Sequence, residues 1–117
     1  MYTFKISDDN DQEREIAKIS DIKYELGRLK DKENYTLGIS SAPVMNDITE
    51  LHVVNSSGYK GIFKKRYVVK YYIGVDLTYS HKSESHGYFT EDFDEVQKVL
   101  TNFVELRKAP DYSGWEG

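Results

Sequence analysis

The chain contains no cysteine among its 117 residues. A disulfide framework, a thiolate zinc site and a cysteine nucleophile are therefore excluded. Proline is scarce, with 2 residues, and no proline-rich linker divides the chain. No uninterrupted apolar stretch approaches the roughly 18 residues of a membrane-spanning helix, and the start has no basic segment followed by an apolar one. We expect neither membrane insertion nor secretion, and a cytoplasmic location fits the lack of cysteine.

The chain also has no large excess of charge of either sign. The chain has 20 acidic and 16 basic residues, for a net charge of -4, which disfavours a simple electrostatic footprint on nucleic acid. Glycine-rich phosphate loops and the Gly-x-Ser-x-Gly nucleophile elbow are missing. We therefore predict no catalytic residues, no cofactor, no metal site and no enzymatic activity. The length predicts a single domain over residues 1–117.

A long alternating segment is the strongest structural signal that is present. Residues 67–79 place an apolar side chain at every second position, which is typical of a strand with one buried side. Its apolar members are Tyr67, Val69, Tyr71, Ile73, Val75, Leu77 and Tyr79. Because Gly74 can mark a bend, this segment is either one curved strand or two strands. Shorter strands are predicted at residues 2–6, 35–40, 49–54 and 88–89.

Two amphipathic helices are predicted, at about residues 21–30 and 92–107. Ser20 fits the cap of the first helix, whose apolar face holds Ile22, Leu26 and Leu29. In the second, Asp92 followed by Glu95 resembles a capping box. Its apolar stripe consists of Phe93, Val96, Val99, Leu100, Phe103 and Leu106. We predict an α+β fold, with a central antiparallel sheet of about five to six strands and the two helices packed on it.

Two polar segments are predicted to be turns. Residues 55–58, Asn-Ser-Ser-Gly, favour a turn between two antiparallel strands. Residues 80–87 are rich in serine and close with a glycine, which favours a tight connection rather than a strand.

Histidines and carboxylates offer limited chemistry. His81, Glu84 and His86 are ligand types that zinc accepts, but their spacing matches no known metal pattern. A solvated turn is the simpler interpretation, and metal binding by His81 and His86 stays open. His52 alternates with Leu51 and Val53, which indicates a half-buried residue of the sheet.

A basic strip interleaved with aromatic residues, which we call the Lys/Tyr strip, suggests a second possible activity, the binding of nucleic acid. Its members are Lys60, Lys64, Lys65, Arg66 and Lys70, with Phe63, Tyr67 and Tyr72 among them. This pattern is similar to a surface on which single-stranded nucleic acid stacks. Exposed lysines that keep strands soluble and block edge pairing are the simpler interpretation.

The C-terminal end carries a family resemblance. Residues 88–103 read Tyr-Phe-Thr-Glu-Asp-Phe-Asp-Glu-Val-Gln-Lys-Val-Leu-Thr-Asn-Phe, and Ala109-Pro110 and Trp115-Glu116 follow. This ending resembles that of a family of bacterial polymorphic-toxin immunity proteins, which tend to close with an amphipathic helix, a proline and a Trp-Glu pair. Residues 16–29 also resemble that family's strand, helix cap and leucine-rich first helix.

The resemblance implies a non-enzymatic cytoplasmic protein that binds a cognate protein toxin and occludes its active site. The candidate partner-binding or motif positions are Tyr88, Glu91, Asp92, Asp94, Glu95, Trp115 and Glu116. Helix capping is a simpler role for the four acids, since they complement the helix dipole. The alternative function is a phage or mobile-element regulatory protein that binds nucleic acid through the Lys/Tyr strip. The oligomeric state stays open.

Overall fold

The computed structural model describes residues 2–8, 12–15, 19–63 and 65–116. Over these residues the chain forms eight strands and two helices. In chain order they are β1 (Thr3–Ser7), β2 (Glu13–Glu15), α1 (Ile19–Asp31), β3 (Thr36–Ala42), β4 (Ile48–Asn55), β5 (Gly58–Lys60), β6 (Arg66–Val68), β7 (Tyr71–Tyr79), β8 (Lys82–Thr90) and α2 (Phe93–Glu105). The predicted α+β class with two helices is confirmed.

Six of the strands form one antiparallel sheet in the order β2, β1, β3, β4, β7, β8. This confirms the predicted central sheet. Strands β5 and β6 form a separate two-stranded sheet. Because Asn55 at the end of β4 lies opposite Tyr71 at the start of β7, this second sheet is a hairpin that leaves the main sheet between two of its inner strands.

Both helices cover the same face of the sheet. Helix α1 packs on β3 and β4, α2 packs on β7 and β8, and the helices contact each other. The predicted apolar faces are buried, with Ile22, Leu26 and Leu29 from α1 and Val96, Leu100 and Phe103 from α2. The Phe103 ring meets that of Phe4 on β1 edge-on, with centroids 5.7 Å apart. Each such side chain contributes roughly 1.5 to 3 kcal/mol through its burial.

The alternating segment at residues 67–79 is two strands in two sheets. Its first part pairs with β5 and its second part is β7. The break occurs at Lys70, whose amide donates to Ser57 Oγ at 2.9 Å and whose carbonyl accepts from the Ser56 amide at 2.8 Å. Tyr67 and Val69 are 45% and 44% exposed, so their expected place on the buried side is wrong.

The predicted connection across residues 80–87 is also wrong. The turn occupies only Ser80 and His81, which have positive φ values of 48° and 66°. Strand β8 then pairs with β7 in unbroken register, from Lys82 opposite Tyr79 to Thr90 opposite Tyr71. Residues 82–85 are all exposed. The polar composition therefore reflects exposure on an outer strand and not turn chemistry.

The helix ends differ slightly from the predicted ones. Helix α1 begins at Ile19, so Ser20 lies inside its first turn and is not the cap, while residues 16–18 lie outside the described residues. Helix α2 begins after Asp92, whose carboxylate accepts the Asp94 amide. It ends at Glu105, so Leu106 is a C-cap and is 64% exposed instead of continuing the apolar stripe. Neither helix within the described residues is long and apolar enough to cross a membrane.

Candidate partner-binding surface

The C-terminal tail folds back on β8. Gly87 and Glu116 exchange two backbone hydrogen bonds of 2.8 and 3.0 Å, and Glu116 thereby pairs with β8, the last strand of the main sheet. The Trp115 ring lies 4.8 Å from that of Tyr88 and is partly buried against the core. Unprotected edge strands invite pairing with other chains. Tyr88, Trp115 and Glu116, all predicted binding positions, are thus brought together and contact their own chain.

The four acids at the start of α2 divide into two pairs. Asp92 caps the helix. Glu95 accepts the hydroxyls of Tyr88 and Thr90 at 2.9 and 2.7 Å. Burial and then this bond to Glu95 raise the pKa of the Tyr88 hydroxyl above its usual range. Glu91 and Asp94 are exposed on the helix start, so they are the two acids of this group best placed to meet a partner.

The histidine group predicted from the sequence is only partly assembled. Glu84 Oε2 lies 3.1 Å from His86 Nε2, and Tyr79 donates its hydroxyl to Glu84 at 2.6 Å. These two bonds, that of Tyr79 first, lower the pKa of the Glu84 carboxyl. The His86 ring stacks on Tyr112, with centroids 5.4 Å apart. His81 lies in the turn, and these residues do not form a three-ligand group among the described side chains.

The β5–β6 hairpin exposes the apolar residues of its turn. Ile62 and Phe63 are 83% and 82% exposed, the largest values among the large apolar side chains that the structure describes. Below them, Tyr59 and Tyr67 lie opposite each other with ring centroids 5.0 Å apart. Clustered apolar residues on a surface mark sites of interaction. We refer to Ile62 and Phe63 as the hairpin tip.

A buried polar network holds the base of the hairpin. Asn55 donates its side-chain amide to the Leu29 carbonyl of α1 at 2.8 Å and accepts the Ser57 amide at 3.0 Å. Ser57 Oγ in turn accepts the Lys70 amide at 2.9 Å. Asn55 and Ser57 are 2% and 7% exposed. Satisfied buried networks of this kind are rigid, so the direction in which the hairpin leaves the core is fixed.

The backbone of the hairpin tip is strained. Phe63 has a φ of 69°, in the left-handed region. A residue with a Cβ is disfavoured there by roughly 1 to 2 kcal/mol, and a bulky side chain is a genuine outlier. Such outliers cluster at functional sites. Phe63 is thus both strained and exposed in the free protein, and neither feature stabilises the fold.

The hairpin surface continues to the start of α2. Lys70 Nζ lies 4.1 Å from the ring of Phe89, which is 55% exposed. A depression lined by Val68, Lys70, Phe89, Thr90 and Glu91 links the hairpin base to Glu91, just before α2. The hairpin base, Phe89 and Glu91 therefore line one depression. We refer to this depression together with the hairpin tip as the hairpin surface.

The Lys/Tyr strip predicted from the sequence is divided by the fold. Phe63, Lys65, Arg66 and Tyr67 lie on the hairpin. Tyr72 lies on β7, with its ring 5.0 Å from that of Phe89. Lys64 lies outside the described residues.

Two residues of the hairpin, Tyr59 and Ile62, were not among the candidates predicted from the sequence. Gly61 could have indicated an exposed turn there, because it precedes an Ile-Phe pair between two short polar segments.

No family model matches this chain, and no curated protein sequence or solved structure does so either.

Proposed function

We propose that this chain is an immunity protein, which binds a cognate protein toxin and blocks the toxin's active site with its hairpin surface. The observation that carries the proposal is the hairpin tip, where Ile62 and Phe63 are 83% and 82% exposed. The ending at residues 93–116, which resembles such proteins, supports the same class of function. Burying both side chains in a partner would contribute roughly 1.5 to 3 kcal/mol each.

The rigid base of the hairpin supports a role in binding. A loop that must order itself on binding loses affinity, whereas a preorganised one does not. The network of Asn55, Ser57 and Lys70 holds the hairpin in place before any partner arrives. Strain at Phe63 is consistent with a side chain that is positioned for a partner and not for the fold.

The charges around the tip indicate the chemistry of the partner. Lys65 and Arg66 are exposed beside the tip, and Lys65 Nζ lies 5.5 Å from the Phe63 ring. The complementary surface is an apolar pocket with an acidic rim, because opposite charges speed association and select the partner. Glu91 and Asp94 would meet a basic group at the other end of the same contact.

The direct test is binding to a toxin domain encoded beside this gene. Purified wild-type protein should bind the domain and suppress its activity. Ile62→Glu combined with Phe63→Glu should weaken binding by about thirtyfold or more, which is the scale of a central hot spot. Leu106→Glu is the matched control, because Leu106 is 64% exposed and lies outside the hairpin. Calorimetry and a toxin-protection assay measure both effects.

Each outcome of this experiment tests a separate part of the proposed function. Failure of the wild-type protein to bind or to protect would overturn the immunity function. Full binding by the double tip variant would remove the hairpin from the interface. Glu91→Lys with Asp94→Lys should weaken binding by a smaller factor, and unchanged affinity would remove the start of α2.

A second candidate function is binding of single-stranded nucleic acid as part of a phage or mobile-element regulator. Tyr59 and Tyr67 on the hairpin, with Arg66 beside them, could stack bases and contact phosphates. The aliphatic Ile62 has no ring face for a base, which favours a protein partner. A gel shift at low salt that is lost in Tyr67→Ala and kept in Ile62→Glu would favour this alternative. An absent shift would remove it.

A further inference from the structure

The open face of the main sheet, opposite the helices, brings one histidine and two carboxylates together. Glu50 on β4 lies directly opposite Asp76 on β7, and His52 lies in the next row on the same face. His52 Nδ1 is 3.6 Å from Asp76 Oδ2 and 3.9 Å from Glu50 Oε1. One ligand atom from each residue lies within 4.8 Å of the others. These are nitrogen and oxygen donors of the types that bind zinc.

The histidine has an unpaired polar atom in this group. His52 Nδ1 is buried and has no hydrogen-bond partner, although its side chain as a whole is 20% exposed. Buried polar atoms are almost always paired, and an unpaired one costs roughly 1 to 3 kcal/mol. A cation held between Nδ1 and the two carboxylates would give that atom a partner.

Two glycines provide the space for this arrangement. Gly38 and Gly74 lie opposite His52 on its two sides. A Cβ at Gly74 would lie 2.5 Å from His52 Nε2, and a Cβ at Gly38 would lie 2.8 Å from Glu50 Cδ. The imidazole and the Glu50 side chain therefore lie against neighbouring backbone, and a larger residue at either glycine would displace them.

A β-bulge separates this polar group from the apolar residues beside it. The register between β4 and β7 shifts between Ile48 and Glu50. Ile48 is thereby opposite Leu77 and fully buried, while Glu50 remains opposite Asp76 on the other face. Thr49 fills the bulge and donates its hydroxyl to the Asp76 carbonyl at 3.0 Å. Bulges commonly re-aim side chains next to functional sites.

We propose that Glu50, His52 and Asp76 form a binding site for a divalent metal ion of the zinc type. Tetrahedral ligands at 2.0–2.1 Å from zinc lie roughly 3.4 Å apart. The 3.6 and 3.9 Å separations of His52 Nδ1 from the two carboxylates need to shorten by a few tenths of an ångström, and the two carboxylates, which lie within 4.8 Å of each other, also need to approach. The Glu50 and Asp76 side chains are 44% and 43% exposed. The ion can enter from solvent and keep water in its remaining position.

The experiment is a calorimetric titration of the full chain with zinc chloride, repeated with cobalt to record the ligand-field spectrum. We expect one ion per chain. His52→Ala should weaken binding by at least about tenfold, since loss of even an outer-shell partner costs 10–100-fold. The matched control is His81→Ala with His86→Ala, which removes the other two of the 3 histidines and should leave binding unchanged.

A second variant tests the site without removing a ligand. Gly74→Ala should weaken zinc binding, because its methyl group would displace the His52 ring. Circular dichroism and a thermal melt without metal establish that each variant is folded. No binding by the wild-type protein, unchanged binding by His52→Ala, or binding lost in the His81/His86 control would each overturn the proposal. Wild-type binding that only His52→Ala and Gly74→Ala weaken would support it.

Discussion

Phenylalanine occupies two opposite environments in this molecule. Phe103 on α2 is fully buried and meets Phe4 edge-on, whereas Phe63 on the hairpin is 82% exposed and has a positive φ. The first side chain contacts the core and needs no further partner. The second has neither a packed environment nor a relaxed backbone. The same residue type therefore stabilises the fold at one position and is exposed without stabilising it at the other.

The aromatic side chains of the C-terminal tail are packed, as those of the core are, and not exposed as on the hairpin. Trp115 packs on Tyr88, and Tyr112 stacks on His86. A lone tryptophan near a chain end can be either a partner anchor or a packed residue. Here the ring contacts its own chain, so aromatic content does not by itself identify an interface.

The largest expected effect tests the buried member of the pair. Phe103→Ala should lower the free energy of unfolding by about 3 to 5 kcal/mol, because it leaves a cavity between α2 and β1. Urea unfolding followed by circular dichroism measures the change. Phe63→Ala is the matched control and should change stability by no more than about 0.5 kcal/mol. Equal losses of stability in the two variants would mean that the Phe63 side chain supports the fold as much as that of Phe103.

A smaller effect is expected at the base of the hairpin. Asn55→Ala leaves the Leu29 carbonyl and the Ser57 amide without their side-chain partner. We expect a loss of roughly 1 to 3 kcal/mol, the cost of buried unpaired groups. Amide hydrogen exchange across β5 and β6 should become faster.

Ser56→Ala is the matched control for the Asn55 change. It keeps the backbone bond from the Ser56 amide to Lys70 and should leave both stability and exchange unchanged. Unchanged exchange in Asn55→Ala would mean that the network does not hold the hairpin.

The sequence predicted the fold class well because periodicity reports burial. The apolar faces of α1 and α2 and the inward positions of β7 are buried as expected. The segment at residues 67–79 is two strands, which was one of the two predicted alternatives. The burial of Tyr67 and Val69 was predicted wrongly because the alternation runs through the break at Lys70, where bonds to Ser56 and Ser57 end one strand and start another. Of strand β8 only residues 88–89 were predicted, because its first residues are exposed and exposed strand positions have the composition of turns.

The candidate sites depend more on tertiary structure than the fold does. His52 is half-buried as the alternation predicted, but its nearness to Asp76 follows from the register of β4 with β7. Nothing within residues 50–52 specifies that register. The predicted positions Tyr88 and Trp115 did come together, because both lie along β8 and its tail. Their role in binding a partner stays a prediction.

The smallest expected effect separates recognition from stability at one residue. Phe63→Gly should raise the free energy of unfolding slightly, by no more than about 1 kcal/mol. Relief of the left-handed strain stabilises the folded state, and the greater flexibility of glycine stabilises the unfolded state. The first free energy exceeds the second only modestly. The same change should weaken toxin binding, since it removes an exposed ring. Phe63→Ala keeps the strained backbone and should weaken binding without the gain in stability. If Phe63→Gly instead destabilised the protein, the Phe63 side chain would have to support the fold, and the contrast with Phe103 would disappear.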